Sequence, residues 1–255
     1  MNILDRFKLD GKTAIVTGAS KGIGEAIAYA LAEAGANVVV SSRKQEAVDE
    51  VARQLKAKGY EALAIAANTG DGDQLRALVE QAIQAFGGID IIVNNAAANP
   101  TFGPIEKTEP WAYDKIMEVN VKGPFELCRL ALPEMKKRGG GAVINISSVG
   151  GLSPEAQLGI YSVSKAALIS LTKVLAKEWG QYGIRANAIC PGLIKTKFSQ
   201  ALWSNEQIMK HLSAQLPLSR AGTVEEVAGL ALLLASDAGS YCTGAVFTAD
   251  GGLTV

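Results

Sequence analysis

Residues 13–36 read TAIVTGASKGIGEAIAYALAEAGA. The first five are apolar or β-branched and short enough for a buried strand. Gly18, Gly22 and Gly24 interrupt the run, and from Ile23 to Ala34 apolar residues recur at helical spacing. Strand, glycine turn and helix therefore follow one another without a linker. The spacing is G-x-x-x-G-x-G rather than G-x-G-x-x-G, but the physics is shared. Glycines allow a tight turn and let backbone N–H groups and a helix N-terminus approach a pyrophosphate. The flanking strand and helix give the glycines this meaning, which they lack alone.

The same alternation runs through the chain. After NVVVS comes a helical pattern at Lys44–Lys58, after ALAIA one at Asp71–Phe86, and after IDIIVN one from about Thr108 to Arg138. AVINIS, a helix containing Tyr161, IRANAIC, two more helical stretches and AVFTA complete it. Strands alternating with helices imply crossover units and a parallel sheet covered on both faces. No linker, repeat or low-complexity tract divides the chain, so residues 1–255 are expected to form a single-domain, doubly wound α/β fold. Its ligand should lie beyond the C-terminal ends of the strands.

Composition removes several alternatives. Lys plus Arg and Asp plus Glu both number 25, so no net positive field attracts nucleic acid. Continuous apolar runs such as LALLLA (230–235) are short for a membrane span, and the N-terminus lacks the apolar core of a signal peptide, so a cytoplasmic protein without membrane partners is expected. Cys128, Cys190 and Cys242 form no closely spaced pair, which argues against a zinc site or disulfide framework. The one histidine, His211, leaves no basis for a His-based metal site and argues against a Ser-His-Asp hydrolase.

About 20 residues past the glycine turn, an Asp or Glu normally marks a fold that holds NAD by its ribose hydroxyls. Here the chain reads VVVSSRK, with Ser42 in that place and Arg43 next. A guanidinium binds a 2′-phosphate that a carboxylate would repel. Lys21 in the glycine turn offers a second cation, and NADP(H) is the expected cofactor.

In YSVSK (161–165) a phenol and an ammonium stand one helical turn apart, where their heads can meet. Val163, Ala166, Ala167, Leu168, Leu171, Val174 and Leu175 are expected on roughly one side of that helix. Tyrosine, at a pKa of about 10, is a poor proton donor near neutrality. A cation about 4 Å away at an effective dielectric of about 20 contributes roughly 4 kcal/mol, at most about three pKa units. Ser148, at the end of AVINISS, should open onto the same cleft.

With TGASKGIG (17–24), NNAA (94–97), VNVKG (119–123), Ser148, YSVSK, PGLIKT (191–196) and TGAVFTADGG (243–252) in order, the chain resembles the short-chain dehydrogenase/reductase family in its compact branch. The resemblance implies a Rossmann-type sheet of about seven strands and a dimer or tetramer. It implies a catalytic set of Asn120, Ser148, Tyr161 and Lys165. Tyr161 would exchange a proton with the substrate oxygen, and Ser148 would orient the carbonyl. Lys165 would also bind the nicotinamide ribose, and Asn120 would help hold a water. Cofactor contacts would come from Gly18, Ser20, Lys21, Gly22, Ile23 and Gly24, from Ser42, Arg43, Asn68 and Thr69, and from Ala96 and Asn94, with Asn94 steadying the sheet beside the adenosine. Tyr161, Lys165, Pro191, Gly192, Ile194 and Thr196 complete that set, with Ile194 and Thr196 clamping the carboxamide. Two departures from the family pattern are Ala97 where glycine is common and Asn68 where Asp is frequent.

Substrate choice is expected from the loops at 99–105, 148–159 and 195–216. The last carries Phe198, Leu202, Trp203, Ile208 and Met209, which would make an apolar lid if they face the cleft. The expected activity is reduction of a ketone or aldehyde, or the reverse oxidation of an alcohol. The alternatives are a 3-oxoacyl-[acyl-carrier-protein] reductase, docked through Lys136, Lys137, Arg138 and Lys177, and a non-catalytic NADP-sensing protein.

Overall fold

Each strand lies where a short apolar run meets a turn. In the computed structural model, which describes residues 2–197, 199–204 and 216–255, these are β1 Thr13–Thr17, β2 Asn37–Ser42, β3 Ala62–Ala66, β4 Ile91–Asn94, β5 Gly141–Ile146, β6 Ile184–Pro191 and β7 Val246–Ala249. Among the described residues they form one sheet in the order β3-β2-β1-β4-β5-β6-β7, with every pair parallel. The chain steps outward from β1 to β3, then returns to place β4 on the other side of β1. This reversal opens a crevice at the C-terminal ends of β1 and β4.

Successive side chains of a strand point to opposite faces. Ala14 and Val16 join one core with α1 (Gly22–Glu33), α2 (Gln45–Ala57) and α8 (Val224–Ala235), through Leu31, Leu55 and Leu234. Ile15 faces the other core, made with α3 (Gly72–Phe86), α5 (Gly123–Lys137) and α6 (Gly159–Trp179), through Leu78, Leu127 and Leu175. Both faces of the sheet are thereby covered.

Three expectations change. The helical stretch from Thr108 to Arg138 is interrupted: α4 (Pro110–Met117) passes into a π-helical turn at Glu118–Lys122 before α5 begins. Pro124 supplies the reason, since it has no N–H to give to the Asn120 carbonyl four residues back. The buried face of α6 is also not the expected one. Val163 and Val174 are exposed, whereas Ser162, Ser164, Lys165, Leu168, Ile169, Thr172 and Leu175 are buried. The helix is apolar on more than one side, and its buried face carries Ser162, Ser164, Lys165 and Thr172 among apolar residues, while Lys173, Lys177 and Glu178 stay exposed. Gly159–Tyr182 is also long and apolar enough to cross a membrane, which continuous runs did not reveal. Here it lies against β6, with Leu168, Leu175 and Trp179 buried.

Candidate active site

The glycine turn is shaped from below. Gly18 has φ 65°, and a Cβ there would lie 2.8 Å from Asn95 Nδ2 and 2.9 Å from Ala96 Cα. Asn95 donates to the carbonyls of Thr17 (2.9 Å) and Gly18 (3.1 Å), while Thr17 Oγ1 accepts from the backbone of Asn95 and Ala96. NNAA thus braces the turn after β1 against the end of β4. Asn95 escaped the sequence reading, although it lies inside a motif that was recognised. Ala97 stands without a left-handed backbone, so alanine replaces the usual glycine there without strain.

Ser20 and Ile23 are half-buried around the turn, and Gly24 is buried in the first turn of α1. Lys21 is the N-cap of α1 and makes no side-chain cap, so the orphan N–H groups of the first turn have no side-chain acceptor from it. Ser42 closes β2, half-buried, and Arg43 follows it, exposed. Neither Lys21 nor Arg43 makes an ion pair among the described residues. Asn68 Oδ1 accepts from Gly70 N at 3.2 Å, and Thr69 beside it is buried. This donor-rich, cation-edged rim fits the diphosphate and ribose end of a dinucleotide.

Two further residues of the cofactor set have buried side chains. Asn94 is buried, and its amide donates to Asn145 Oδ1 (2.8 Å) and Cys128 Sγ (3.4 Å). It ties β4 to β5 and α5. The Ile194 side chain is likewise buried in the core beside α8, leaving only its backbone for a ligand. Pro191 ends β6, Gly192 N donates to Ala249 O at 3.0 Å, and Thr196 is half-buried against the glycine turn.

Ser148, Tyr161, Lys165 and Asn120 gather at the ends of β4 and β5. Lys165 is buried, and its Nζ donates to Ile146 O at 2.8 Å, while its own carbonyl accepts from Ser147 Oγ at 2.8 Å. Burial pulls its pKa down to about 8. Its Nζ lies 5.6 Å from the centre of the Tyr161 ring. The hydrogen bond that Nζ makes is to the Ile146 carbonyl rather than to the phenol oxygen. Burial dominates at the phenol and pushes its pKa up to about 12, opposed by a hydrogen bond with Ser148. A buried ammonium needs an acceptor, and the strand-end carbonyl of Ile146 is the one it finds.

Asn120, fully buried, sits within the π-helical turn. Its Oδ1 accepts from Ala98 N (2.7 Å), and Nδ2 donates to Ala98 O (3.0 Å) and Ser164 Oγ (3.0 Å). Ser164 Oγ donates in turn to Tyr161 O at 2.6 Å. Both amide protons are committed, so the Asn120 group suited to a water is its backbone carbonyl, which Pro124 leaves without the usual donor. Ser147 and Ser164 were missed because isolated serines carry no pattern.

Two of the loops expected to choose the substrate are joined by Gly103 N donating to Gln157 O at 3.1 Å, with Phe102, Ile105 and Leu152 exposed. Of the expected lid, Trp203 Nε1 donates to Thr196 O, while Phe198, Ile208 and Met209 lie outside the described residues, as do His211 and the side chain of Leu202.

Fold and side chains together define a doubly wound α/β protein with its site at the topological switch point. A family model described as enoyl-(acyl carrier protein) reductase matches residues 18–254. Dehydrogenase/reductase SDR family member 4 of Sus scrofa is 44% identical over 97% of this chain and 88% of its own length. A gluconate 5-dehydrogenase from Burkholderia cenocepacia, solved with NADP and tartrate, has a TM-score of 0.95 at 36% identity, covering 99% of both chains. A 7α-hydroxysteroid dehydrogenase, solved with NADH and 7-oxo glycochenodeoxycholic acid, has a TM-score of 0.94 at 35% identity, covering 99% of this chain and 98% of its own. The chain belongs to the short-chain dehydrogenase/reductase family and is an oxidoreductase of that family.

Proposed function

We propose that this protein, working as one domain, moves hydride between NADP(H) and a carbonyl or secondary alcohol, chiefly as an NADPH-dependent reductase of ketones or aldehydes. The observation that carries the reading is the gathering of Ser148, Tyr161 and Lys165 at the strand edge beside the glycine turn. Bound NADPH supplies the hydride. Tyr161, kept protonated by its burial, gives its proton to the substrate oxygen, and Ser148 orients that oxygen with its hydroxyl. The Lys165 ammonium stabilises the phenolate as it forms, and the Asn120 carbonyl holds a water in the proton path. Arg43 and Lys21 recognise the 2′-phosphate. A homotetramer or homodimer acting in the cytoplasm belongs to the same reading, as does a small carbonyl or alcohol as partner.

The acyl-carrier reading is favoured by the description of the matching family model. Its docking patch is weakened by three of the four cations named for it. Lys137 pairs with Glu134, Arg138 pairs with Asp90 at 2.9 Å, and Lys136 lies 3.5 Å over the Tyr182 ring. A non-catalytic sensor would have no use for the complete Ser148–Tyr161–Lys165 set.

The test is a steady-state screen of ketones, ketoesters and acyl thioesters with NADPH and NADH. Tyr161→Phe should bind NADPH and lose turnover by about 10² or more. Ser42→Asp combined with Arg43→Ala should invert the cofactor preference. Near-normal turnover in the first variant, or equal use of both cofactors by the parent at low concentration, overturns the corresponding part of the proposal.

A further inference from the structure

The segment Ile194–Thr196 crosses the glycine turn as a strap. A Cβ placed on Gly22 would meet Thr196 Cγ2 at 3.4 Å, an ordinary van der Waals distance. One edge of the strap is sewn to the loop before α8: Lys195 N donates to Gly222 O and Gly222 N to Leu193 O, each at 2.9 Å. That loop is itself firm, since Arg220 pairs with Glu226 at 2.6 Å and Thr223 forms a capping box with Glu226.

The other edge is held by side chains. Ser199 Oγ donates to the Ile194 carbonyl and accepts from Thr196 N at 3.2 Å. Trp203, on the short helix α7 (Gln200–Trp203), donates its indole N–H to the Thr196 carbonyl at 2.8 Å. The sequence suggested a hydrophobic wall for this tryptophan. Its hydrogen bond does something else: it ties one peptide of the strap to the short helix that follows it.

We propose that Trp203 is a positioning residue that latches the strap over the glycine turn and so sets how long the dinucleotide remains bound. The inference rests on the cofactor reading above, because it takes Thr196 and the turn at Gly22 to face the same ligand. Trp203 acts through the Thr196 peptide, whose carbonyl its indole binds. Opening the strap requires that peptide to leave the indole, so the bond contributes to the barrier for cofactor release. Hydride transfer, governed by α6 and the end of β5, does not depend on it.

The experiment is NADPH binding and release, followed by the fluorescence of the reduced nicotinamide, in the parent and in Trp203→Phe. Phenylalanine keeps an aromatic ring and removes the N–H. Loss of one neutral hydrogen bond predicts release about two- to tenfold faster with a matching rise in Kd. The single-turnover rate at saturating NADPH should be unchanged. Ser199→Ala, which loosens the same edge without removing an aromatic ring, should change release in the same direction. Release at the parental rate in Trp203→Phe, with the parent binding NADPH normally, overturns the latch and leaves the cofactor reading standing. Equal losses in single-turnover rate and retention also overturn it, since they indicate general disruption of the site. A parent that does not bind NADPH overturns both.

Discussion

Lys165 is a long, charged side chain placed among apolar ones, and its burial has a measurable sign. In the unfolded chain it titrates at the ordinary lysine value of 10.5, while in the fold desolvation brings it to about 8. Between these values the unfolded chain holds more protons, so stability rises with pH across that window. Below it the penalty for burying the ammonium is fully present. Lys165→Met should therefore stabilise the protein at pH 7, by an amount on the order of 2 kcal/mol, with the advantage shrinking between pH 8 and 10.5 and turnover lost throughout. Denaturation midpoints over a pH series decide it. A variant less stable than the parent by the same amount at every pH would show that the burial cost is misassigned. In the proposed reduction, the rate should also fall as pH passes about 8, where Lys165 loses its charge while Tyr161 remains protonated.

The π-helical turn between α4 and α5 is an element whose defect has a use. Pro124 removes the N–H that would bind the Asn120 carbonyl, and Gly123 N donates to Glu118 O five residues back instead. Pro124→Ala restores the missing donor and should draw the turn toward regular α-helix, swinging Asn120 relative to Ala98 and Ser164. We expect turnover to fall by about 10², the low end for a lost proton-transfer path, with no loss of thermal stability. Unchanged turnover with an unchanged melting temperature would show that the bulge does not position the site. This element also marks a limit of legibility. VNVKG was recognised as a motif, and Pro124 follows it directly, yet the helical period of Thr108–Arg138 hides the extra residue because a π turn shifts the phase without breaking the apolar pattern. The order of strands and helices was legible because parallel strands buried on both faces are nearly continuous apolar runs. The inward face of α6 was legible only in part: Leu168 and Leu175 are buried, as their spacing suggests, whereas Ser164 and Lys165 are buried where they hydrogen-bond to Asn120, Ser147 and Ile146, and apolar spacing carries no record of those bonds. Which side chains meet Lys165 and Asn94 depends on neighbours brought from far along the chain, beyond what local spacing encodes.

Across the molecule, the two ends of the sheet do different work. The candidate site lies at the C-terminal ends of the strands, and the opposite end is fastened by Asp90. Its buried carboxylate accepts from Thr13 N at 2.9 Å and Arg138 Nε at 2.9 Å, with Lys12 Nζ at 3.6 Å. Asp90→Ala leaves the buried Thr13 amide without an acceptor and takes the carboxylate from Arg138, and should cost about 3 kcal/mol, read by chemical denaturation, with turnover per folded molecule unaltered. A comparable fall in turnover would mean that the two ends are coupled. The same fastening bears on how the chain reaches this state. Seventy-seven residues separate Thr13 from Asp90, and β1 lies between β2, which follows soon, and β4, which does not. Contacts this distant require loop closure before they stabilise anything, which slows their formation. On a ribosome, the first strand must therefore wait with one flank open until residue 94 has emerged. The brace from Asn95 comes with it, so the glycine turn, almost the first feature synthesised, waits 77 residues beyond Gly18 before it can acquire its final shape.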